Sequence, residues 1–350
     1  MEKQEIRVFG LQELEKIVVG LGEPSFKAKQ INEWIWQKGV LDFDLMTNLS
    51  KKLRKELEEK YVIAGFQPAH SQFSKDGTIK TGWKLYDGEV IESVLIPLTE
   101  EKRYTLCVSS QVGCTLNCRF CATGKLKLKR NLHDYEIVEQ FIHANNKSIE
   151  AFGRPLTNVV YMGMGEPLMN YANVMSSIDR LTNPGGFDFS YRRITLSTSG
   201  IIKGIEQMTE DKIKVNLALS LHAADDEKRT MIMPVNKANS IEDLIEAIAR
   251  YYDHSKAKIS YEYILFKDFN DSLEDAARLA RLCRKFPVKV NIIEYNYVEG
   301  VPYTKTTEER INTFAKYLVD RGVMATVRRS RGHDIDAACG QLANKIQKET

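Results

Sequence analysis

The chain has 350 residues, 43% hydrophobic and 28% charged, with only nine prolines; this excludes a disordered or collagen-like polymer and predicts one large domain plus a smaller one. Charges begin at Glu2 and no stretch of about 18 apolar residues occurs anywhere, so neither export nor membrane spanning is expected and a cytoplasmic chain with no membrane partner is predicted. A net charge of +3 is too small to name a nucleic-acid partner until the placement of the positive residues is known.

The first elements read as helices. Apolar residues recur at helical spacing across Gln30 to Gln37, and Leu49, Leu53 and Leu57 extend the pattern through the charged segment LSKKLRKELEEKY. Next, TIKTGWKLYDGEVIESVLIP alternates apolar and polar positions about Asp87-Gly88, a dipeptide suited to a tight hairpin turn. The hairpin is expected to join two domains: a helical accessory domain over residues 1–75, a hairpin linker carrying Glu92 over 76–99, and a larger domain over 100–350 carrying Cys339.

From Arg103 onward, strand-like and helix-like runs alternate. The expected strands are YTLCVSS, NVVYMGM, RRITLSTS, KVNLALSL, KISYEYILF, VKVNIIEYN and VMATVRR, with helical segments such as SIEDLIEAIARYY between most of them. A doubly wound sheet is possible, but this regular α/β alternation together with the cysteine chemistry below favours a parallel barrel, open or closed. A barrel gathers its functional groups at the C-terminal ends of the strands. Ser109, Gly163 to Glu166, Ser197, Ser220 with His222, and Asn296 all fall at such ends.

Three of the six cysteines lie within GCTLNCRFCATG, where Cys114, Cys118 and Cys121 are spaced CxxxCxxC just after a predicted strand. Six cysteines are too few for a disulfide scaffold in a chain this long, and the clustering points to metal chemistry in a reducing compartment. Three thiolates on a compact loop can each hold one iron of a cubane cluster, leaving the fourth iron open to a ligand. The alternative is zinc, with Cys107 or His133 as fourth ligand. Cys283 sits among Leu279, Leu282 and Phe286 at helical spacing and reads as core, and Trp34 and Trp36 read as core as well.

CxxxCxxC after a first strand resembles the signature of radical S-adenosylmethionine (radical SAM) enzymes, a family built on an open parallel βα barrel. CVSSQVGCTLNCRFCATG, YMGMGEPLMN, ITLSTSG, LALSLHA and DIDAACGQL are together similar to one subfamily, the RNA adenine carbon-2 methyltransferases of 23S ribosomal RNA and tRNA. The likeness runs from the hairpin near Glu92 to the C-terminus. It implies one 4Fe-4S cluster on Cys114, Cys118 and Cys121 with an exchangeable SAM site, and two SAM molecules per turnover. One SAM would methylate a cysteine and a second would yield a deoxyadenosyl radical; the methylated cysteine would then add to adenine, and a second cysteine would resolve the adduct. An external electron donor such as flavodoxin and a disulfide reductant are implied as partners. So are rRNA and tRNA processing roles.

By the same resemblance, Cys339 matches the methyl-carrying cysteine, Cys107 the resolving one, and Glu92 a general base, although Cys107 could instead take the proton. Gly165 and Glu166 match positions at the methionyl end of SAM, and Ser197, Ser220, Leu221, His222 and Asn296 match its remaining contacts. Positive charge gathers beside the cysteines at Arg119, Lys125, Lys127, Lys129 and Arg130, and again at Arg328, Arg329 and Arg331, where phosphate attraction gives it a use. The N-terminal domain is expected to contact RNA. Two rivals remain open: the related carbon-8 methyltransferase, and a non-catalytic zinc-stabilised RNA-binding protein.

Overall fold

A computed structural model describes residues 3–343. At the N-terminus, α1 (Leu11–Gly20), α2 (Phe26–Trp36) and α3 (Lys51–Lys60) pack together, flanked by the short parallel strands β1 (Gln4–Glu5) and β2 (Tyr61–Val62). Leu53 and Leu57 are buried as their spacing requires, and Ser50 caps α3 by accepting from Leu53 N at 3.1 Å. Helix α1 was not anticipated, although Leu14 and Val18 carry its buried stripe. Trp36 is buried under the Arg180 guanidinium, 3.8 Å from its ring, which fits a core role.

The main sheet comprises β3 (Gln67–Phe73), β4 (Ile79–Lys84), β5 (Val90–Leu98), β6 (Arg103–Cys107), β9 (Asn158–Tyr161), β10 (Ile194–Thr198), β11 (Asn216–Ser220), β12 (Ile259–Leu265), β13 (Val288–Glu294) and β14 (Met324–Arg328). A separate ribbon pairs β7 (Gln111–Val112) with β8 (Arg130–Asn131). Each of the seven strands expected after Arg103 is present. Those seven are parallel neighbours in chain order, with the crossover helices α4 (Asp134–Phe152), α5 (Tyr171–Thr182), α6 (Ile202–Glu210), α7 (Asp226–Ile232), α8 (Ile241–Ser255), α9 (Leu273–Leu282) and α10 (Glu308–Val319) in the connections. A doubly wound sheet would reverse strand order at a switch point; this one never reverses, which is the barrel progression. The second edge of β6 is taken by β5 rather than by β14, so the barrel is open. The hairpin turns at Asp87-Gly88 and its strands extend the barrel sheet antiparallel through β5, with β3 as the outermost strand.

The pleat sorts side chains between two environments. Toward the helices, Leu219, Tyr261 and Val290 are adjacent in register and fully buried. On the opposite face, Ser220, Glu262, Asn291 and Thr326 form a polar row across β11 to β14. The barrel interior is therefore built for polar chemistry while the helix-facing side supplies the hydrophobic core. The N-terminal helices are tied to this body by Arg7, which is 1% exposed and donates to Glu139 Oε2 of α4 at 2.7 Å while also pairing with Glu5.

Candidate active site

The cysteine loop leaves β6 at its C-terminal end, at the mouth toward which β9, β10, β11 and β13 also open. Ser109 knits this end together: its Oγ donates to the Glu92 carbonyl at 2.6 Å and accepts from Met164 N at 2.8 Å. The loop then turns through Gly113, whose φ of +82° and a phantom Cβ only 2.3 Å from the Lys127 carbonyl leave no room for a side chain. Cys121 N donates to the Cys118 carbonyl at 3.1 Å, closing the CxxC turn.

Cys114, Cys118 and Cys121 are half-buried and free. Burial is the main force raising all three thiols, and neighbouring thiols add repulsion at Cys114, which is pushed up to about 11, and at Cys118. Three such sulfurs cannot ionise together unaided. A cluster that brings its own positive charge removes that obstacle, so the donor set fits an iron–sulfur group. Among the described residues no three His, Cys, Asp or Glu side chains are drawn together as chelators of one metal ion. A cubane makes a different demand, because each thiolate takes its own iron. His133 is exposed at the head of α4, stacked on Tyr135 with centroids 5.1 Å apart.

Residues 332–343 form a strap across the mouth. Gly332 N donates to Asp76 Oδ2 at 3.0 Å, Ala122 N to the Gly340 carbonyl at 2.8 Å, Thr123 Oγ1 to the Leu342 carbonyl at 2.7 Å, and Gln341 Nε2 to the Tyr297 carbonyl at 3.1 Å. The strap brings Cys339 into electrostatic reach of Cys107, Cys121, Glu262 and Arg328. Cys339 is exposed, yet the surrounding protein raises its thiol. Cys107 is half-buried at the end of β6; burial first, and then the charge of Cys339, push its thiol up.

Glu92 lies on the same sheet face as Val94, whose register partner is Cys107. Its carboxylate is 1% exposed; Oε2 accepts from Ala343 N at 3.0 Å, and Oε1 accepts no hydrogen bond but lies 3.8 Å from Lys80 Nζ. Glu92 thus anchors the end of the strap, a role its sequence context did not suggest.

The positions matched to SAM contacts gather at the same mouth. Gly165 has φ +98° and abuts Gln111. Glu166 is buried, with its carboxylate accepting from Leu168 N at 3.2 Å and Ser199 N at 2.8 Å, and burial raises its pKa. Ser197 Oγ and Ser220 Oγ are 3.5 Å apart. Leu221 is fully buried, its amide donating to the Glu262 carbonyl and its own carbonyl accepting from Arg229. His222 has φ +55°; its Nδ1 accepts from Ile264 N at 3.1 Å, and burial followed by Arg229 lowers its pKa to about 3, so the ring is neutral. Asn296 is half-buried just past β13, its amide donating to the Glu294 carbonyl at 3.4 Å.

The basic residues divide. Arg130 is held by Asp87 and Glu136, and Arg329 by Glu294 and Glu308, so both serve the fold. Arg119, Lys127, Arg328 and Arg331 are exposed, as are Lys125 and Lys129, which reach the Glu299 carbonyl and the Glu89 carboxylate. Cys283 is half-buried at the end of α9 and acts electrostatically on Tyr261. Arg229 and Glu262 are interior charges near the site that escaped sequence reasoning. Nothing in DEKRTMI separates Arg229 from the solvated charges beside it, and Glu262 stood in a strand without a motif.

Family models match two parts of the chain: the ribosomal RNA large subunit methyltransferase N-terminal domain over residues 5–63, and the radical SAM superfamily over residues 108–280. A probable dual-specificity RNA methyltransferase RlmN of Christiangramia forsetii is 49% identical over 343 residues, covering 98% of this chain and 97% of that relative. The dual-specificity RNA methyltransferase RlmN of Geotalea uraniireducens is 44% identical, covering 99% of each. Among solved structures, a radical SAM methyltransferase from Sphaerobacter thermophilus superposes with a TM-score of 0.91 at 41% identity, covering 97% of this chain and 99% of that one.

Proposed function

The chain belongs to the RlmN family of dual-specificity radical SAM RNA methyltransferases, and from that premise we propose that it methylates carbon 2 of adenine in 23S rRNA and in tRNA. Carbon 2 is an electron-poor C–H position with nothing to attack a sulfonium, so a radical route is needed. When bound to Cys114, Cys118 and Cys121, a 4Fe-4S cluster with two SAM molecules per turnover supplies a methyl group and a 5'-deoxyadenosyl radical.

In this reading Cys339 accepts the methyl group, yields one of its hydrogen atoms to the deoxyadenosyl radical and carries the resulting carbon radical to adenine, forming a transient protein–RNA adduct whose odd electron would pass to the oxidised cluster. Glu92 Oε1, which accepts no hydrogen bond, takes the proton released from carbon 2, and the Cys107 thiolate attacks the Cys339 sulfur, breaking its bond to the transferred carbon, which takes up a proton to become the new methyl group. The two cysteines end as a disulfide that an external thiol reductant must reopen, and the cluster draws its electron from a donor such as flavodoxin. Gly165, Glu166, Ser197, Ser220, Leu221, His222 and Asn296 bind SAM. Exposed basic residues around the mouth hold the RNA backbone, and the accessory helices add contacts.

One observation carries the proposal: the strap that bears Cys339 is tied at Gly340 to Ala122, the residue after Cys121, and at Ala343 to Glu92, which shares a sheet face with Val94, the register partner of Cys107. Family membership and the thiol-only donor set favour this over a zinc-stabilised RNA-binding role. The test is anaerobic incubation of reconstituted protein with SAM, a reducing system and unmodified rRNA or tRNA, followed by nucleoside mass spectrometry. 2-Methyladenosine is expected; 8-methyladenosine would transfer the chain to the carbon-8 chemistry. Cys339→Ala is expected to acquire no methyl group, and Cys107→Ala to accumulate a protein–RNA crosslink. Normal product release by Cys107→Ala would remove that residue from the resolving role.

A further inference from the structure

Arg229, on α7, is fully buried. Its guanidinium donates to the carbonyls of Ser199 at 2.6 Å, Ser220 at 3.2 Å and Leu221 at 3.2 Å, and to the side-chain oxygen of Asn236 at 2.6 Å. All four acceptors are neutral. Arg7, equally buried, instead pairs directly with Glu5 and Glu139. The carboxylate acting on Arg229, Asp226, is bonded to the Asn236 amide at 2.8 Å and to Ile241 N at 3.0 Å, so Asn236 stands between the two charges. Burying a cation without a touching anion is costly, and the fold must gain from keeping it there.

The gain lies on the cysteine loop. Helix α7 is fastened to that loop by Arg119 N donating to the Ile232 carbonyl at 2.9 Å, and the Phe120 ring meets His222 edge-on at 4.8 Å. Arg229 lies one helical turn before Ile232, whose carbonyl holds the residue after Cys118, and it grips the Leu221 carbonyl next to the His222 ring that Phe120 meets. Ser199, Ser220 and Leu221 follow β10 and β11, so the same guanidinium fixes the strand ends that face the loop.

We infer that Arg229 is an electrostatic positioning residue of the cluster site, a buried cation that offsets the negative charge of three thiolates and favours one-electron reduction of the group they hold. This rests on the iron–sulfur reading of Cys114, Cys118 and Cys121. Burial leaves the guanidinium less basic than usual at about 10, with Asp226 pulling the other way, and it stays protonated at neutral pH. In a water-poor site a fixed positive charge lowers the energy of an added electron more than it could in solvent, and the net charge around a cluster sets its potential. Glu166, whose carboxylate accepts from the amide of the same Ser199 whose carbonyl binds Arg229, brings the opposite sign to this site and works against it.

The test compares anaerobically reconstituted wild type, Arg229→Gln, Arg229→Met, Arg229→Lys and Glu166→Gln by iron and sulfide content and by midpoint potential from an EPR-monitored titration. The two neutral variants at 229 are expected to shift the midpoint to more negative potential, the lysine variant to stay near wild type, and Glu166→Gln to shift positive. An unchanged midpoint in an iron-replete Arg229→Gln or Arg229→Met overturns the inference, as does a null or negative shift in Glu166→Gln. Should the neutral variants lose iron that Arg229→Lys retains, charge compensation is upheld; equal loss in all three reduces Arg229 to a tie of the fold and overturns it. Wild-type protein that binds no iron defeats the cluster reading itself, an outcome distinct from all of these.

Discussion

Gly165→Ala places a methyl group where the backbone has φ +98° and where a Cβ would stand 2.5 Å from Gln111 Cβ, 2.7 Å from Gln111 Cγ and 2.9 Å from Gln111 N. An L-residue at that φ costs about 1–3 kcal/mol, and forcing the overlap apart adds about 1–3 kcal/mol of overpacking. The neighbour cannot simply swing aside. Gln111 belongs to the β7–β8 ribbon, its Oε1 accepts from Glu166 N at 2.8 Å, and its Nε2 donates to Asn131 Oδ1 at 2.8 Å. The strain must therefore move the Gly163–Glu166 turn away from the segment that leads into Cys114. A loss of roughly 2–6 kcal/mol is expected in urea unfolding, with faster amide exchange confined first to residues 108–114 and 163–168 and with weaker SAM binding. A Gly165→Ala protein with the wild-type urea midpoint and unaltered exchange over those two segments would refute the packing argument.

Arg7→Leu strands Glu139, which also accepts from His143 at 3.3 Å, as a buried carboxylate without its guanidinium, and should cost about 3–5 kcal/mol; a change below about 1 kcal/mol by denaturation would contradict the buried pairing. His222 stays neutral in the fold with a pKa of about 3 against 6.5 unfolded. The unfolded chain therefore binds the extra proton first, and stability should fall by about 1.4 kcal/mol per unit as pH drops from 6.5 toward 3. His222→Asn, which can accept from Ile264 N and tolerates the left-handed backbone, should flatten that part of the pH profile; an unchanged slope would dismiss the assignment. Thr123→Val removes the hydroxyl bonded to the Leu342 carbonyl and should cost about 1–2 kcal/mol locally, seen as faster alkylation of Cys339 by iodoacetamide, whereas an unaltered rate would mean the strap does not depend on this bond.

How much was legible in the sequence varies by element, and the pattern has a cause. Alternation fixed the seven parallel strands, because burying one face of each strand against a helix writes itself into every second residue. The cysteine loop was legible because cluster chemistry demands thiolates at close spacing on one short segment, and neighbours in sequence are neighbours in space. Gly113 and Gly165 likewise carry local demands of turn and close approach.

Residues whose roles depend on distant partners left no such trace. Arg130 and Arg329 read as part of a phosphate-binding surface until Asp87, Glu136, Glu294 and Glu308 were found holding them. Glu92 was singled out by resemblance, but only the strap revealed that Ala343 N is bound to it. Arg229 looked like one more charge on a short helix. Local periodicity and cysteine spacing were enough for the α/β class, the seven strands and the clustered thiols, because each is set within a turn, a strand or a loop. The docking of the Cys339 strap on the cysteine loop and on Glu92, the burial of Arg229 and the pairing of Arg130 and Arg329 were decided by tertiary structure alone, because each depends on groups brought together from remote parts of the chain, which no local pattern encodes.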